Sequence, residues 1–164
     1  SAPARIVNVS SAMHRSARLD LDDIQFERRR YSGTAAYGQS KLAVLAVTLE
    51  QAARLAGTGV TANAVHPGFV RTRLGEHDGL LRIAWRLGSP LMVSPEVGAR
   101  TSVRVASADD LAGVTGRYFA NGHPVSYSPI ADDVAIRARL WAELEKLTLV
   151  PEAVGLRRRA PAVL

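Results

Sequence analysis

"TAAYGQSKLAVLAV", residues 34–47, sets a phenol and an ammonium into a run that otherwise reads as a buried helix. Tyr37 and Lys41 stand four residues apart, so on a helix they share one face. From Thr34 to Ala56 the residues favour a helix, with Ala and Leu abundant and no glycine after Gly38 until Gly57 and Gly59 stop it. Between Leu42 and Leu49 almost every position is apolar, which predicts burial on more than one side. An unperturbed tyrosine has a pKa of about 10, and a fixed ammonium beside it stabilises the phenolate. Such a pair is expected to serve as a general acid or base. A hydroxyl on a neighbouring strand end can then hold a substrate carbonyl, and "VNVSS" puts Ser10 and Ser11 in such a place.

Outward from that helix the chain alternates. "ARIVNVSS" is rich in Ile and Val and reads as an opening strand. Residues 12–33 are polar and irregular and read as a long loop. "GVTANAVHPG" is a second strand ended by Pro67 and Gly68, and a further loop carries a short helix near Leu80 to Leu87. In "SPEVGARTSVRVA", Ser94 is the expected N-cap, Pro95 takes the first helical position, and Glu96 suits the first turn. "GRYFANG" is a third strand closed by an Asn-Gly turn. "ADDVAIRARLWAELEKL" is a last amphipathic helix, with Ile136, Leu140, Leu144 and Leu147 on one stripe and Asp132 and Asp133 as its N-cap pair. The order predicts an α/β fold with a parallel sheet and covering helices. Its first strand would show an unpaired edge. Residues 1–150 are expected to form the folded domain, and 151–164 a flexible basic tail.

Composition narrows the function classes. At 164 residues, 47% hydrophobic and 22% charged, the chain fits one globular domain. Without cysteine it has no disulfide framework and no thiolate metal site. His66 precedes Pro67 at the strand end and reads as a satisfied structural histidine, while His14, His77 and His123 sit in loops without ligand spacing, so no metal is expected. The net charge of +6 gathers at Arg28–Arg30 and Arg157–Arg159. No aromatic platform accompanies either cluster, so solvated charge is the reading and nucleic acid is not an expected partner. No apolar run reaches the roughly 20 residues of a membrane span, and the N-terminus does not read as a signal peptide, so a cytoplasmic protein is expected.

Taken together, "IVNVSS", then "YGQSK", then "GVTANAVHPGFVRT" after one helix resemble the short-chain dehydrogenase/reductase family. That resemblance implies an NAD(P)-dependent oxidoreductase interconverting an alcohol and a carbonyl, on a Rossmann-like doubly wound sheet. By it, Ser11 orients the carbonyl, Tyr37 transfers the proton, and Lys41 hydrogen-bonds the cofactor ribose and depresses the tyrosine pKa. Pro67, Gly68, Val70 and Thr72 would border the nicotinamide. The 25-residue insertion between Ser11 and Tyr37, and "GRYFANGHPVSYSPIADD" near the C-terminus, are similar to the retinol dehydrogenase and WW-domain oxidoreductase branch. That branch favours NADP(H) over NAD(H) and lipophilic aldehydes, ketones or alcohols. Trp85 would lie in the loop that covers substrate in the family.

The family's Gly-rich phosphate turn is not found, since the first glycine is Gly33. The resemblance therefore implies a C-terminal catalytic half, from the fifth strand onward, with the N-terminal cofactor-binding half absent. Such a half is expected to bind dinucleotide weakly and to be inactive alone. Its expected partners are the missing half or a homodimer mate. The alternative reading is a non-catalytic interaction module that associates through the Tyr-bearing helix with a full-length relative. Hydrolase chemistry on Ser11 is disfavoured, because no Gly-x-Ser-x-Gly elbow surrounds it.

Overall fold

The computed structural model describes residues 3–70 and 92–148. Strand β1 (Ala4–Val9) leads through a one-turn 3₁₀ helix (Ala12–Arg15) and an ordered loop to helix α1 (Gly33–Arg54). Strand β2 (Val60–His66) and helix α2 (Pro95–Ser107) follow, then β3 (Tyr118–Ala120), β4 (His123–Pro124) and helix α3 (Val134–Thr148). The sheet order is β1-β2-β3-β4, parallel across the first three strands. The expected α/β sheet with covering helices is therefore present, with one addition. Asn121 (φ 50°) and Gly122 (φ 79°) form a two-residue turn that folds β4 back antiparallel on β3.

Alternation along the strands assigns the two faces. Ala64 and Tyr118 point to one side, where they pack with Leu42, Leu45, Ala46 and Leu49 of α1 and Leu140 of α3. Val65 and Phe119 point to the other, against Val105 of α2. Between the helices, Glu50 of α1 is buried and pairs with Arg54 (2.8 Å) and Arg137 of α3 (3.9 Å). Arg5 of β1 donates to the carbonyls of Val105 (3.2 Å) and Ala108 (2.8 Å), and so satisfies acceptors that the end of α2 leaves open. Among the described residues β1 pairs only with β2, so its outer edge is free as expected.

Local signals set the helix ends. Ser94 caps α2 through the Val97 N–H (3.4 Å), with Pro95 and Glu96 behind it. Asp133 Oδ1 accepts from Ala135 (2.8 Å) and Ile136 (3.1 Å) and caps α3, whereas Asp132 instead accepts from the Tyr127 hydroxyl (2.8 Å). Two expectations need correcting. Leu147 is 46% exposed, because the last turn of α3 runs past the core that holds Leu140. The second apolar side of α1 is only half-covered: Ala36, Ala43, Val44 and Val47 line an open groove of about 560 Å³ with Phe26 and Tyr31. The short helix near 80–87 and the tail at 151–164 lie outside the described residues.

Candidate active site

The C-terminal end of β1 and the first turns of α1 are fastened to each other by side chains that bond main-chain carbonyls. Ser10 extends the sheet by donating its N–H to the Val65 carbonyl (2.8 Å). Its buried hydroxyl donates to the Lys41 carbonyl (2.8 Å). In return, Lys41 Nζ donates to the Val9 carbonyl (3.2 Å). The strand end that carries Ser11 is thus held to the helix turn that carries Lys41. Lys41 Nζ also stands 5.5 Å from the centre of the Tyr37 ring, which places the ammonium and the phenol on one helix face as their spacing required. Tyr37 is 39% exposed, and its ring faces outward from the core.

Ser11 is partly buried and caps the 3₁₀ turn, its Oγ accepting from the Met13 N–H (3.4 Å). Among the described residues its hydroxyl proton has no acceptor, which leaves it available to a substrate oxygen. Gly38, next to Tyr37, lets this turn lie close. A Cβ there would meet Ala17 Cβ at 3.2 Å and the Met13 carbonyl at 3.5 Å.

The loop before α1 is more organised than its polar composition predicts. The Asp23 carboxylate accepts backbone N–H groups from Glu27 (2.7 Å), Arg28 (3.2 Å) and Arg29 (3.0 Å). Burial opposes its ionisation, but these donors and the Arg29 guanidinium outweigh burial and hold the carboxyl below its ordinary range. Arg29 covers the Phe26 ring at 3.8 Å and donates to Gln39 Oε1 (2.7 Å), while Gln39 Nε2 donates to the Ile24 carbonyl (3.0 Å). The loop is therefore tied to α1 two residues beyond Tyr37. Arg29 is also paired with Asp20 (3.3 Å) and Asp23 (3.5 Å), which corrects the reading of Arg28–Arg30 as uniformly solvated charge.

On the far side, Pro67, Gly68 and Val70 follow β2. Gly68 has φ +85°, a conformation that strongly favours glycine, and a Cβ there would approach nothing nearer than Val93 Cγ2 at 3.8 Å. Val70 bridges to Val93, and the Phe69 carbonyl accepts from the Val93 N–H (2.9 Å). Thr72 and Trp85 lie outside the described residues. Sequence reasoning missed Gly98 of α2. A Cβ at Gly98 would fall 2.4 Å from Val70 Cγ2 and 3.3 Å from the Pro67 carbonyl, so only glycine lets the helix seat this segment. It also missed His14, read as a loop residue and found fully buried beneath Ser11. An unexplained glycine inside a capped helix and a histidine three residues after the serine were the available signals.

The arrangement fits one end of a dinucleotide. Lys41 Nζ has donors beyond the one given to Val9, suited to ribose hydroxyls. The Gly68 backbone is unobstructed by a side chain, so a flat ring can approach it. No described turn presents a Gly-rich set of N–H groups to a pyrophosphate. Among the described residues no cluster of three or more His, Asp or Glu could hold a metal ion. No described helix is long and apolar enough to cross a membrane.

A family model described as enoyl-(acyl carrier protein) reductase matches residues 5–120. The chain is 43% identical to human retinol dehydrogenase 13, over 99% of its own length and 49% of that relative. With human retinol dehydrogenase 12 the identity is 46%, over 86% of this chain and 44% of the relative. The crystal structure of an uncharacterised protein from Mycobacterium paratuberculosis superposes with a TM-score of 0.66 at 34% identity, over 89% of this chain and 50% of that one. The chain thus spans about half the length of the curated relatives it matches.

Proposed function

Because the chain belongs to the short-chain dehydrogenase/reductase family, we propose that it carries the proton-transfer side of an NAD(P)-dependent alcohol/carbonyl oxidoreductase. The observation that carries this reading is the double tie at Lys41. The Ser10 hydroxyl bonds its carbonyl, and its ammonium bonds Val9, so serine, tyrosine and lysine are held on one rigid unit. Ser11 donates its hydroxyl proton to the substrate oxygen and orients it. Tyr37 delivers a proton to that oxygen on reduction and removes it on oxidation. Lys41 holds the ribose and keeps positive charge beside the phenol. The Val70 backbone and Thr72 would supply polar contacts to the ring, beside Pro67 and Gly68. The bound nicotinamide supplies or accepts the hydride.

NADP(H) is the favoured cofactor, and the expected substrates are lipophilic aldehydes, ketones or alcohols, in keeping with the relatives named retinol dehydrogenase. Among the described residues, those of the site address the nicotinamide end, so this chain alone is expected to bind NADPH weakly and to turn over nothing. The site is expected to operate in the cytoplasm.

The test joins two measurements. A melt of the chain followed by helix signal should not shift with saturating NADPH, since only binding to the native state raises a midpoint. An upward shift overturns the expectation of weak binding. The chain should then gain retinaldehyde-dependent NADPH oxidation when mixed with the N-terminal part of a retinol dehydrogenase. Tyr37→Phe should remove that activity by about 10²-fold or more, the scale of general acid–base catalysis. Activity that survives the substitution refutes the assignment.

The groove on α1 favours a second reading, a module that binds a relative through that helix. Sedimentation of the chain with a full-length relative separates the two, because association untouched by Tyr37→Phe but lost on Val44→Glu belongs to the module.

A further inference from the structure

The residues beneath Ser11 form a second layer of the site. His14 is 0% exposed, and its Nδ1 lies 2.6 Å from the Ser11 carbonyl oxygen. A carbonyl only accepts, so Nδ1 must carry the proton, and in the neutral ring Nε2 is left as an acceptor. The same carbonyl also receives the His14 backbone N–H (3.2 Å). Ser11 therefore has its carbonyl held by two His14 donors, while its hydroxyl oxygen accepts from the Met13 N–H.

Three polar atoms in this layer have no hydrogen-bond partner among the described residues: His14 Nε2, Tyr118 Oη and His66 Nδ1. Tyr118 is 1% exposed, and its ring meets that of His14 edge to face at 4.8 Å. Buried polar groups are almost always hydrogen-bonded, and a buried water makes two to four such bonds. Burial is the main influence on the titration of all three groups, lowering both imidazoles and pushing the Tyr118 phenol up to about 12. The Arg15 charge acts on each of them as well.

We propose that His14 is a positioning residue for Ser11, and that its Nε2 and the Tyr118 hydroxyl share one buried water that fixes the imidazole in place. His66, two residues along β2 from the Ala64 that pairs with Tyr118, falls on the same face of the sheet. The value of the arrangement to catalysis rests on the reading that Ser11 orients a carbonyl. The water and the tautomer do not depend on it.

The experiment uses the 164-residue chain with ¹⁵N-labelled histidine and ¹³C-labelled carbonyls. Long-range ¹H–¹⁵N spectra should show His14 with a protonated Nδ1 and a bare Nε2. A His14 ring proton should give a cross-peak to a long-lived water. Tyr118→Phe should abolish that cross-peak and move the Nε2 resonance while leaving the Ser11 carbonyl carbon in place. His14→Leu should move the Ser11 carbonyl, and His14→Asn, whose amide nitrogen takes the place of Nδ1, should restore it. A protonated Nε2, or an Nε2 resonance indifferent to Tyr118→Phe, overturns the proposal. None of these signals involves nicotinamide, so failure of the oxidoreductase reading leaves them untouched. The wild-type and Tyr118→Phe spectra decide the matter even where His14→Leu does not fold.

Discussion

Replacing Gly98 with alanine sets two effects of opposite sign against each other. A helix interior gains about 1 kcal/mol when glycine becomes alanine. Against this, the new Cβ would stand 2.4 Å from Val70 Cγ2, where carbon atoms normally rest at about 3.5–4.0 Å. Val70 is stiff at χ1 and is held by its bridge to Val93, and the Pro67 carbonyl at 3.3 Å limits retreat of the helix. Overpacking of this kind costs about 1–3 kcal/mol, so the net loss is expected near 1 kcal/mol, a fall of about 2–4 °C in Tm. Val70→Ala removes the obstructing methyls. In that background Gly98→Ala should become neutral or stabilising, giving a coupling energy of about 1–3 kcal/mol. Urea unfolding of the four proteins, followed by circular dichroism, measures it. Effects that add within about 0.5 kcal/mol would refute a direct contact between α2 and the Pro67–Val70 segment.

Burial lowers the His14 and His66 values below the ordinary 6.5, so the unfolded rings bind protons first as pH falls. The stability tied to these rings is complete above about pH 6.5 and is lost below it, until the folded rings protonate. Thermal midpoints taken from about pH 7.5 down to 5.5 should decline, and more gently in His14→Asn; a rising midpoint contradicts the assignment. Glu50→Gln leaves Arg54 and Arg137 without their anion at a buried joint between α1 and α3, and should cost about 3 kcal/mol in urea unfolding. A loss under about 1 kcal/mol means the joint is solvated in solution.

Local chemistry explains what was legible. Ser94, Pro95 and Glu96 announce α2 because capping depends on near neighbours, and Asn121-Gly122 announces its turn because both residues accept positive φ. The third strand was legible, but its hairpin partner was not, since His123–Pro124 is two residues long and proline argues against a strand. Tyr37 and Lys41 were readable from helical spacing, and Ser11 from its place after an Ile/Val-rich strand. Gly98 and His14 were not, because each owes its place to residues distant in space or to burial. A glycine in a helix reads as a weakness until Val70 is seen against it. A histidine in a polar loop reads as surface until Tyr118 closes over it. The loop at 17–32 was opaque for a similar reason: Asp23 and Arg29 look solvated until they are paired with each other and Gln39 is placed against Arg29.

The pairing of β1 with β2 has a kinetic side. Ala4 aligns with Val60 and Val9 with Val65, so every rung of that ladder closes a loop that contains the whole of α1. Contacts so distant along the chain close late, since the entropy of looping must be met before any of them is rewarded. The Ser10–Lys41 and Lys41–Val9 ties join β1 to α1 over separations of 31 and 32 residues. Serine and tyrosine are thus aligned near the end of folding rather than its beginning. A folding intermediate that already shows native helix signal would have α1 in place and no catalytic geometry.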